Sequence, residues 1–123
     1  MSANYVFDGI LQPAVPVAVT TGGVFIASPT GKALHRLVGV RVCNIDAANT
    51  CRLKLYTNDG TTDAQYFNDI IAADDSPALI DDPIIFGTQE KVRKIKAVAE
   101  ANSRLICTAY YVVATPSAKG GNG

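Results

Sequence analysis

The chain has 123 residues, 48% of them hydrophobic and 18% charged, which predicts one globular domain with an ordinary core and excludes a disordered chain. Eleven basic and eleven acidic residues cancel, and this balance argues against a general nucleic-acid binder, which normally carries a basic excess. No apolar run approaches the ~20 residues of a membrane span, and the start of the chain lacks a secretory signal, so we expect folding in a cytosol.

Residues 1–13 are predicted to form an extended arm rather than a strand, because their apolar residues show no clear period and Asp8-Gly9 is a turn signal. Such a segment usually packs on its own domain or on a neighbour, and we expect it to lie on a neighbouring subunit or on the surface of a particle. The candidate interface residues of the arm are Tyr5, Val6, Phe7, Ile10 and Leu11.

The domain itself is predicted over residues 14–115, as short strands separated by turn signals. Residues 61–71 fit either a short helix or a strand. The other predicted strands, apart from the central stretch described next, are 14–20, 24–27, 78–80, 84–87, 92–99 and 104–114. Seven to nine short strands without a clear helix predict an all-β, single-domain β-sandwich of jelly-roll or immunoglobulin-like type. Residues 116–123 are predicted to be a flexible tail.

The central stretch, residues 34–56, reads as two strands joined by a short polar connector, and an antiparallel hairpin is the simplest interpretation. Alternate residues of a strand point to one face, which predicts an apolar wall in each strand. The predicted wall residues are Val38, Val40 and Val42, with Leu34 in the same phase, and Leu53 and Leu55. The last strand, 104–114, is apolar on both faces, so one face is expected to need a cover.

Three cysteines match neither a metal-binding spacing nor a disulfide framework. In a hairpin, Cys43 and Cys51 would lie near enough for a disulfide. A reducing cytosol nevertheless favours free, buried and inert thiols, Cys107 included.

The single histidine, His35, is predicted to be a surface or packing residue rather than a base, since nothing in the sequence places a nucleophile beside it. No phosphate-binding loop, dinucleotide-binding fingerprint or zinc-protease motif is present. The sequence therefore predicts no catalytic residue, no cofactor and no metal site.

Aspartates dominate the middle of the chain, without one lysine or arginine among them. They are Asp59, Asp63, Asp69, Asp74, Asp75, Asp81 and Asp82. Carboxylates on loops are one way to bind Ca²⁺, but the spacing fits no EF-hand. Solvated turns are the simpler interpretation, and a bound cation stays open.

A basic block follows, and its candidate interface residues are Lys91, Arg93, Lys94 and Lys96. No aromatic residue is interleaved with them in the sequence, so specific nucleic-acid binding is not expected. The block fits the polar face of an edge strand. Alternatively, it meets the acidic segment of a neighbouring copy and sets the register of an assembly.

The segment LVGVRVCNIDAANTCRLKLYTNDG, followed by acidic loops and by PIIFGTQEKVRKIKAVAEANSRLICTAYYVV, resembles small structural proteins of tailed bacteriophages. The resemblance covers residues 34–114. It implies a non-enzymatic virion protein, assembled in the host cytoplasm. The first expectation is a capsid decoration (cement) protein that binds the major capsid protein as a homo-oligomer, for which a trimer would suit local threefold axes. A neck, tail or baseplate accessory is the alternative.

A carbohydrate-binding β-sandwich module is the rival from another class of protein. Its stacking rings would be Tyr56, Tyr66, Phe67, Tyr110 and Tyr111. An enzyme is the least favoured class, because glycosidase carboxylates would be expected beside substrate-binding aromatics and the chain has no tryptophan.

Overall fold

The computed structural model describes residues 5–11, 15–29, 31, 33–79 and 84–116. The strands in chain order are β1 (Tyr5–Leu11), β2 (Val17–Ala18), β3 (Val24–Ala27), β4 (Leu34–Asn44), β5 (Cys51–Asn58), β6 (Asp63–Ile71), β7 (Ala78–Leu79), β8 (Ile84–Phe86), β9 (Lys94–Ala99) and β10 (Leu105–Pro116). No helix occurs in these ranges.

The strands form two antiparallel sheets. The first sheet has six strands in the order β1-β10-β4-β7, with β2 also paired to β10 and β8 also paired to β4. The second sheet has four strands in the order β3-β9-β5-β6. Buried side chains from both sheets join one core, which includes Val40 and Val42 of the first sheet and Leu53 and Leu55 of the second. The predicted all-β, two-sheet fold is confirmed.

The predicted central hairpin is wrong, because β4 and β5 belong to different sheets. β4 pairs with β10, whereas β5 lies between β9 and β6. The two strands therefore face each other across the core instead of lying side by side, which lets both apolar walls be buried at once. The buried side chain of Asn44 holds this crossover, since its amide donates to the carbonyl oxygens of Ile71 (3.2 Å) and Asn49 (3.0 Å).

The hairpin lies one strand later, between β5 and β6. Its turn follows Asn58, where the carboxylate of Asp59 accepts hydrogen bonds from the backbone N–H groups of Thr61 (2.9 Å) and Thr62 (2.7 Å). Gly60 has a φ of 106°, a left-handed conformation that favours glycine. The turn chemistry selects an extended partner strand, so residues 61–71 are a strand from Asp63 rather than a helix.

A β-bulge in β4 changes which residues face the core. Tyr110 lies opposite Gly39 and Tyr111 lies opposite Leu37, so Val38 is an extra residue with no partner on β10. An extra residue shifts the inward and outward alternation by one position. The bulge thus divides β4 into two halves of opposite phase.

The bulge corrects one part of the predicted wall. Val40 and Val42 are buried as predicted, but Val38 is 37% exposed and Leu34 is only partly buried. On the N-terminal side of the bulge, Leu37 and His35 face the core instead. The wall residues of the second sheet, Leu53 and Leu55, are fully buried as predicted.

Residues 5–11 form a strand, where the sequence predicted an extended arm rather than a strand. Contact of this segment with a neighbouring subunit or a particle stays a prediction. β1 pairs with β10 of the same chain, with Tyr5 opposite Pro116 and Leu11 opposite Val112. The register is irregular between Phe7 and Leu11, which accounts for the lack of a sequence period. The free edge of a long strand offers backbone hydrogen bonds that an extended segment can satisfy. The side chains of residues 5–11 and all of residues 117–123 lie outside the described part.

Candidate functional site

The outer face of the second sheet collects the basic side chains. On β9, Lys96 lies between Phe25 of β3 and Tyr56 of β5, and Lys94 lies opposite Asn58. Residues paired across antiparallel strands point to the same face. The inward residues of the same strands are buried, so this face points away from the core. We call it the basic face and define it by Phe25, Arg52, Lys54, Tyr56, Lys94, Lys96 and Val98.

Within the part of the chain that the structure describes, each cation of the basic face except Lys54 has a neighbour that holds it. The Nζ atom of Lys94 lies 4.5 Å from the ring centroid of Phe25, a cation–π contact. The Nζ atom of Lys96 is 2.9 Å from a carboxylate oxygen of Asp63. Arg52 donates to the side-chain oxygen of Asn68 at 2.7 Å. These contacts fix the cations over the sheet instead of leaving them extended into solvent.

Asp63 is the carboxylate built into this arrangement. Its pKa is lowered first by the hydrogen bond from the Asn58 side chain, at 2.7 Å, and then by the hydrogen bond and charge of Lys96. Asp63 therefore stays ionised at neutral pH and offsets one cation of the face.

A shallow depression of about 160 Å³ lies within the basic face. Its lining residues are Arg52, Lys54, Tyr56, Val98, Ala99 and Glu100. A carboxylate oxygen of Glu100 accepts the backbone N–H of Arg52 at 2.8 Å. The depression is smaller than the roughly 300–1,000 Å³ of typical small-molecule sites, so it suits a protruding side chain better than a cofactor.

The outer face of the first sheet is different in character. We call it the apolar face and define it by Val38, Cys43, Ile85, Ile106 and Tyr110; two exposed arginines, Arg36 opposite Ile85 and Arg41 opposite Thr108, lie on the same face. Cys43 lies opposite Ile106, and Tyr110 lies opposite Gly39 at the bulge. Val38 and Ile85 are each more than a third exposed. A second depression, of about 280 Å³, lies between Val38, Tyr110 and Leu79.

The predicted interface residues do not come together. Lys94 and Lys96 belong to the basic face, but Lys91 and Arg93 lie in the turn that precedes β9, where the Arg93 N–H donates to the Asn58 carbonyl at 2.7 Å. The five N-terminal candidates belong to β1 in the other sheet, and an interface role for them stays a prediction. The fold thus separates the two predicted sets.

On the folded sheet, aromatic rings lie between the cations, whereas the sequence shows no aromatic residue among the basic residues. Phe25 and Tyr56 flank Lys96 across the sheet, although neither lies near the basic block in sequence. Only the strand register brings them together, so no local pattern could have identified Phe25.

His35 is a packing residue and not a surface residue. Its ring is fully buried, with its centroid 5.0 Å from that of Phe86 and 5.6 Å from that of Tyr111. The Nδ1 atom lies 3.1 Å from the Ala33 carbonyl oxygen and donates to it. Burial lowers the pKa of His35 below its ordinary value, more than this hydrogen bond raises it. The neutral imidazole is part of the core.

The three cysteines are free thiols. Cys43 is half-buried and points outward from the first sheet, whereas Cys51 is buried on the inner face of the second. The hairpin that would have brought them opposite each other does not exist. Burial raises the pKa of Cys107 to about 12, which disfavours the reactive thiolate.

The aspartates of this segment act as local hydrogen-bond acceptors, Asp59 and Asp75 beside turns and Asp69 within β6. The carboxylates of Asp59, Asp69 and Asp75 accept hydrogen bonds from nearby backbone N–H groups, whereas Asp81 and Asp82 lie outside the described residues. Within the described ranges, no three His, Cys, Asp or Glu side chains are grouped so that they could bind a metal ion.

The five aromatic rings proposed for sugar stacking lie in different places. Tyr56 is on the basic face and Tyr110 is on the apolar face. Tyr111 lies in the core beside His35, and Tyr66 and Phe67 also pack against the core. The rings therefore do not form one platform.

Among the described residues, no helix has the length and apolarity that crossing a membrane requires. Comparisons with protein-family models, with curated proteins and with solved structures find no match to this chain.

Proposed function

We propose that the protein is a non-enzymatic structural component of a tailed-bacteriophage virion. Its role is that of a capsid decoration (cement) protein, which binds the major capsid protein as a homo-oligomer and stabilises the shell. The likeness of residues 34–114 to small phage structural proteins supports the class. A two-sheet β-domain whose outer faces differ in chemistry is a suitable building block for such an assembly.

The apolar face is the observation that carries the proposal. β10 is apolar on both sides. Its outward residue Tyr110 lies beside the exposed Val38, whereas Ile106 lies opposite Cys43, farther along the strand. Val38, Leu79 and Tyr110 line an apolar depression bordered by Arg41, and an exposed apolar patch with a polar rim usually marks an interface. A second copy of the chain is the partner that a homo-oligomer supplies, and closed symmetric assemblies are the common outcome.

A structural role also agrees with the uses of the polar groups described above. His35 is enclosed by aromatic rings, and the loop carboxylates accept hydrogen bonds from their own backbone. A neck, tail or baseplate accessory remains the alternative within the same class. The carbohydrate-binding module is disfavoured by the dispersal of the five rings.

Oligomeric state, particle binding and the heat resistance of the particles test this function. Sedimentation of the purified protein should reveal a homo-oligomer, and the protein should co-sediment with phage particles stripped of it and raise their resistance to heat. A strictly monomeric protein that does not bind such particles would contradict the proposal. Binding to a glycan array would favour the carbohydrate-binding module.

A matched pair of exposed isoleucines tests the apolar face. Ile85, which belongs to it, is 38% exposed, and Ile70, on the second sheet, is 49% exposed. Ile85→Asp should dissociate the oligomer, whereas Ile70→Asp should leave it intact. Equal behaviour of the two variants would show that this face is not the contact between copies.

A further inference from the structure

We propose that the basic face is the surface that docks on the capsid shell, and that its partner there is an acidic protein surface. This inference rests on the proposed function and names the chemistry of its partner.

The charges of the basic face are incompletely matched within the chain. Of its four cations, Lys96 is paired with Asp63. Arg52, Lys54 and Lys94 have no carboxylate oxygen within 4.0 Å among the described residues. The chain as a whole is neutral, so this excess is local. It is complementary to negative charge on a partner.

Exposed apolar and aromatic groups lie between these cations. Phe25 is 42% exposed under Lys94, and half-buried Tyr56 and Val98 line the depression beside Arg52 and Lys54. Aromatic residues and arginine are enriched at protein–protein interfaces, where a ring or guanidinium fills a small pocket. This combination of cations and apolar groups is typical of a surface that loses its bound water when a protein partner binds.

The same details disfavour nucleic acid as the partner. The Lys94 ammonium already occupies one face of the Phe25 ring, 4.5 Å from its centroid, whereas bases need open aromatic rings to stack. The depression of about 160 Å³ is also a single recess rather than a groove that could follow a backbone.

The two faces have separate tasks under this proposal. The apolar face lies on the first sheet and the basic face on the second, with the core between them. A copy held to its neighbours through the apolar face therefore keeps its basic face free for the shell.

Charge reversal on the face is the central experiment. Lys54→Glu combined with Lys94→Glu should weaken binding to stripped particles at least about tenfold, and the wild-type affinity should fall as salt is raised. Lys54→Arg combined with Lys94→Arg keeps the charges and should keep most of the binding. The matched control is Lys91→Glu with Arg93→Glu, which changes the net charge equally but lies in the turn beside the face, and it should bind nearly as the wild type.

The outcomes separate the two proposals. If the wild type binds particles and the Lys54→Glu/Lys94→Glu protein binds equally well, the basic face is not the docking surface, although the proposed function survives. If the Lys91→Glu/Arg93→Glu control loses as much affinity, net charge and not the face is responsible. If the wild type does not bind particles, both proposals fail. If a labelled oligo(dT) binds the wild type through Lys54 and Lys94, while replacing these two residues leaves particle binding unchanged, the ligand of the basic face is nucleic acid.

Discussion

The imidazole ring of His35 stacks on the phenyl ring of Phe86, with the ring planes 27° apart. Tyr111 closes the cluster by meeting Phe86 edge-on at 5.7 Å. The three rings come from β4, β8 and β10, so they join three strands of the first sheet. The only histidine of the chain is therefore a structural residue at the junction of these strands.

Replacing His35 by glutamine should destabilise the protein by about 1–3 kcal/mol, because the aromatic contacts are lost in a buried site. The sequence alone predicts almost no effect for this change, and the burial of the ring is what alters the expectation. Urea denaturation at pH 7.5 measures the difference. Unchanged stability would show that the stack contributes little.

The same residue should make stability depend on pH. The unfolded chain binds a proton on His35 near the ordinary pKa of 6.5, whereas the folded pKa lies lower. The stabilisation is thus complete above about pH 6.5 and is lost as pH falls toward the folded pKa, with a slope of at most about 1.4 kcal/mol per pH unit. Denaturation between pH 5 and about pH 8 should show a smaller slope for His35→Gln, and identical slopes would contradict this account.

Val40→Asp should destabilise the domain by more than about 4 kcal/mol or prevent folding, since Val40 is only 2% exposed and a buried carboxylate there has no partner. Val38→Asp is the matched control, two positions away but on the outward bulge, and it should cost about 0.5 kcal/mol or less in the monomer. Thermal denaturation of both at low protein concentration tests the phase shift in β4. Equal losses would place both valines in the core.

Gly60→Ala should destabilise the β5–β6 hairpin by roughly 1–2 kcal/mol, because alanine is strained at a φ of 106°. The added methyl carbon would also lie 3.1 Å from the Arg93 guanidinium, which must move aside. Gly22→Ala is the control, since its added carbon would meet no atom within 4 Å. Equal melting temperatures for the two variants would show that the turn tolerates a side chain.

The cysteines should differ in reactivity although all are reduced. Cys43 is half-buried and should be alkylated first in native protein, whereas Cys51 and Cys107 should react only after unfolding. Mass spectrometry of native and denatured samples, alkylated without a reductant, measures this order. A peptide pair joining Cys43 to Cys51 would contradict the assignment of the two residues to different sheets.

Removing residues 2–12 should lower the melting temperature and promote self-association, because the edge of β10 that pairs with β1 would lose its partner strand. The core residues lie in the later strands, so the shortened domain should still fold. Circular dichroism and light scattering monitor the two effects. A shortened protein that matches the full chain in both would show that β1 adds nothing to the sheet.

Alternation in the sequence predicts which residues share a face but not which strands pair. The period of two in residues 104–114 and the turn at Asn58-Asp59-Gly60 are both found in the structure. The assignment of β4 and β5 to one hairpin is wrong, because the connector after Asn44 is compatible with a turn or with a crossover. In the structure the buried amide of Asn44 bonds to Ile71 of the other sheet, a contact that the sequence does not show.

The bulge and the basic face depend on register, which the sequence specifies only through distant partners. Gly39 within an apolar strand is a known sign of a bulge, but it does not tell where the phase changes. The row of Phe25, Lys96 and Tyr56 joins three strands that are far apart in sequence. No local window contains that information.

The position of β10 between β4 and β1 also determines when the protein can fold. During synthesis, the β5–β6 hairpin is complete early and closes over a short loop. The first sheet has to wait for the last strand, because Leu34 pairs with Ala114 and Tyr5 pairs with Pro116. Contacts of such long sequence separation make folding slow. Until β10 leaves the ribosome, the edge of β4 that pairs with β10 stays unpaired. Chaperones that bind exposed strands would contact the nascent chain during that interval.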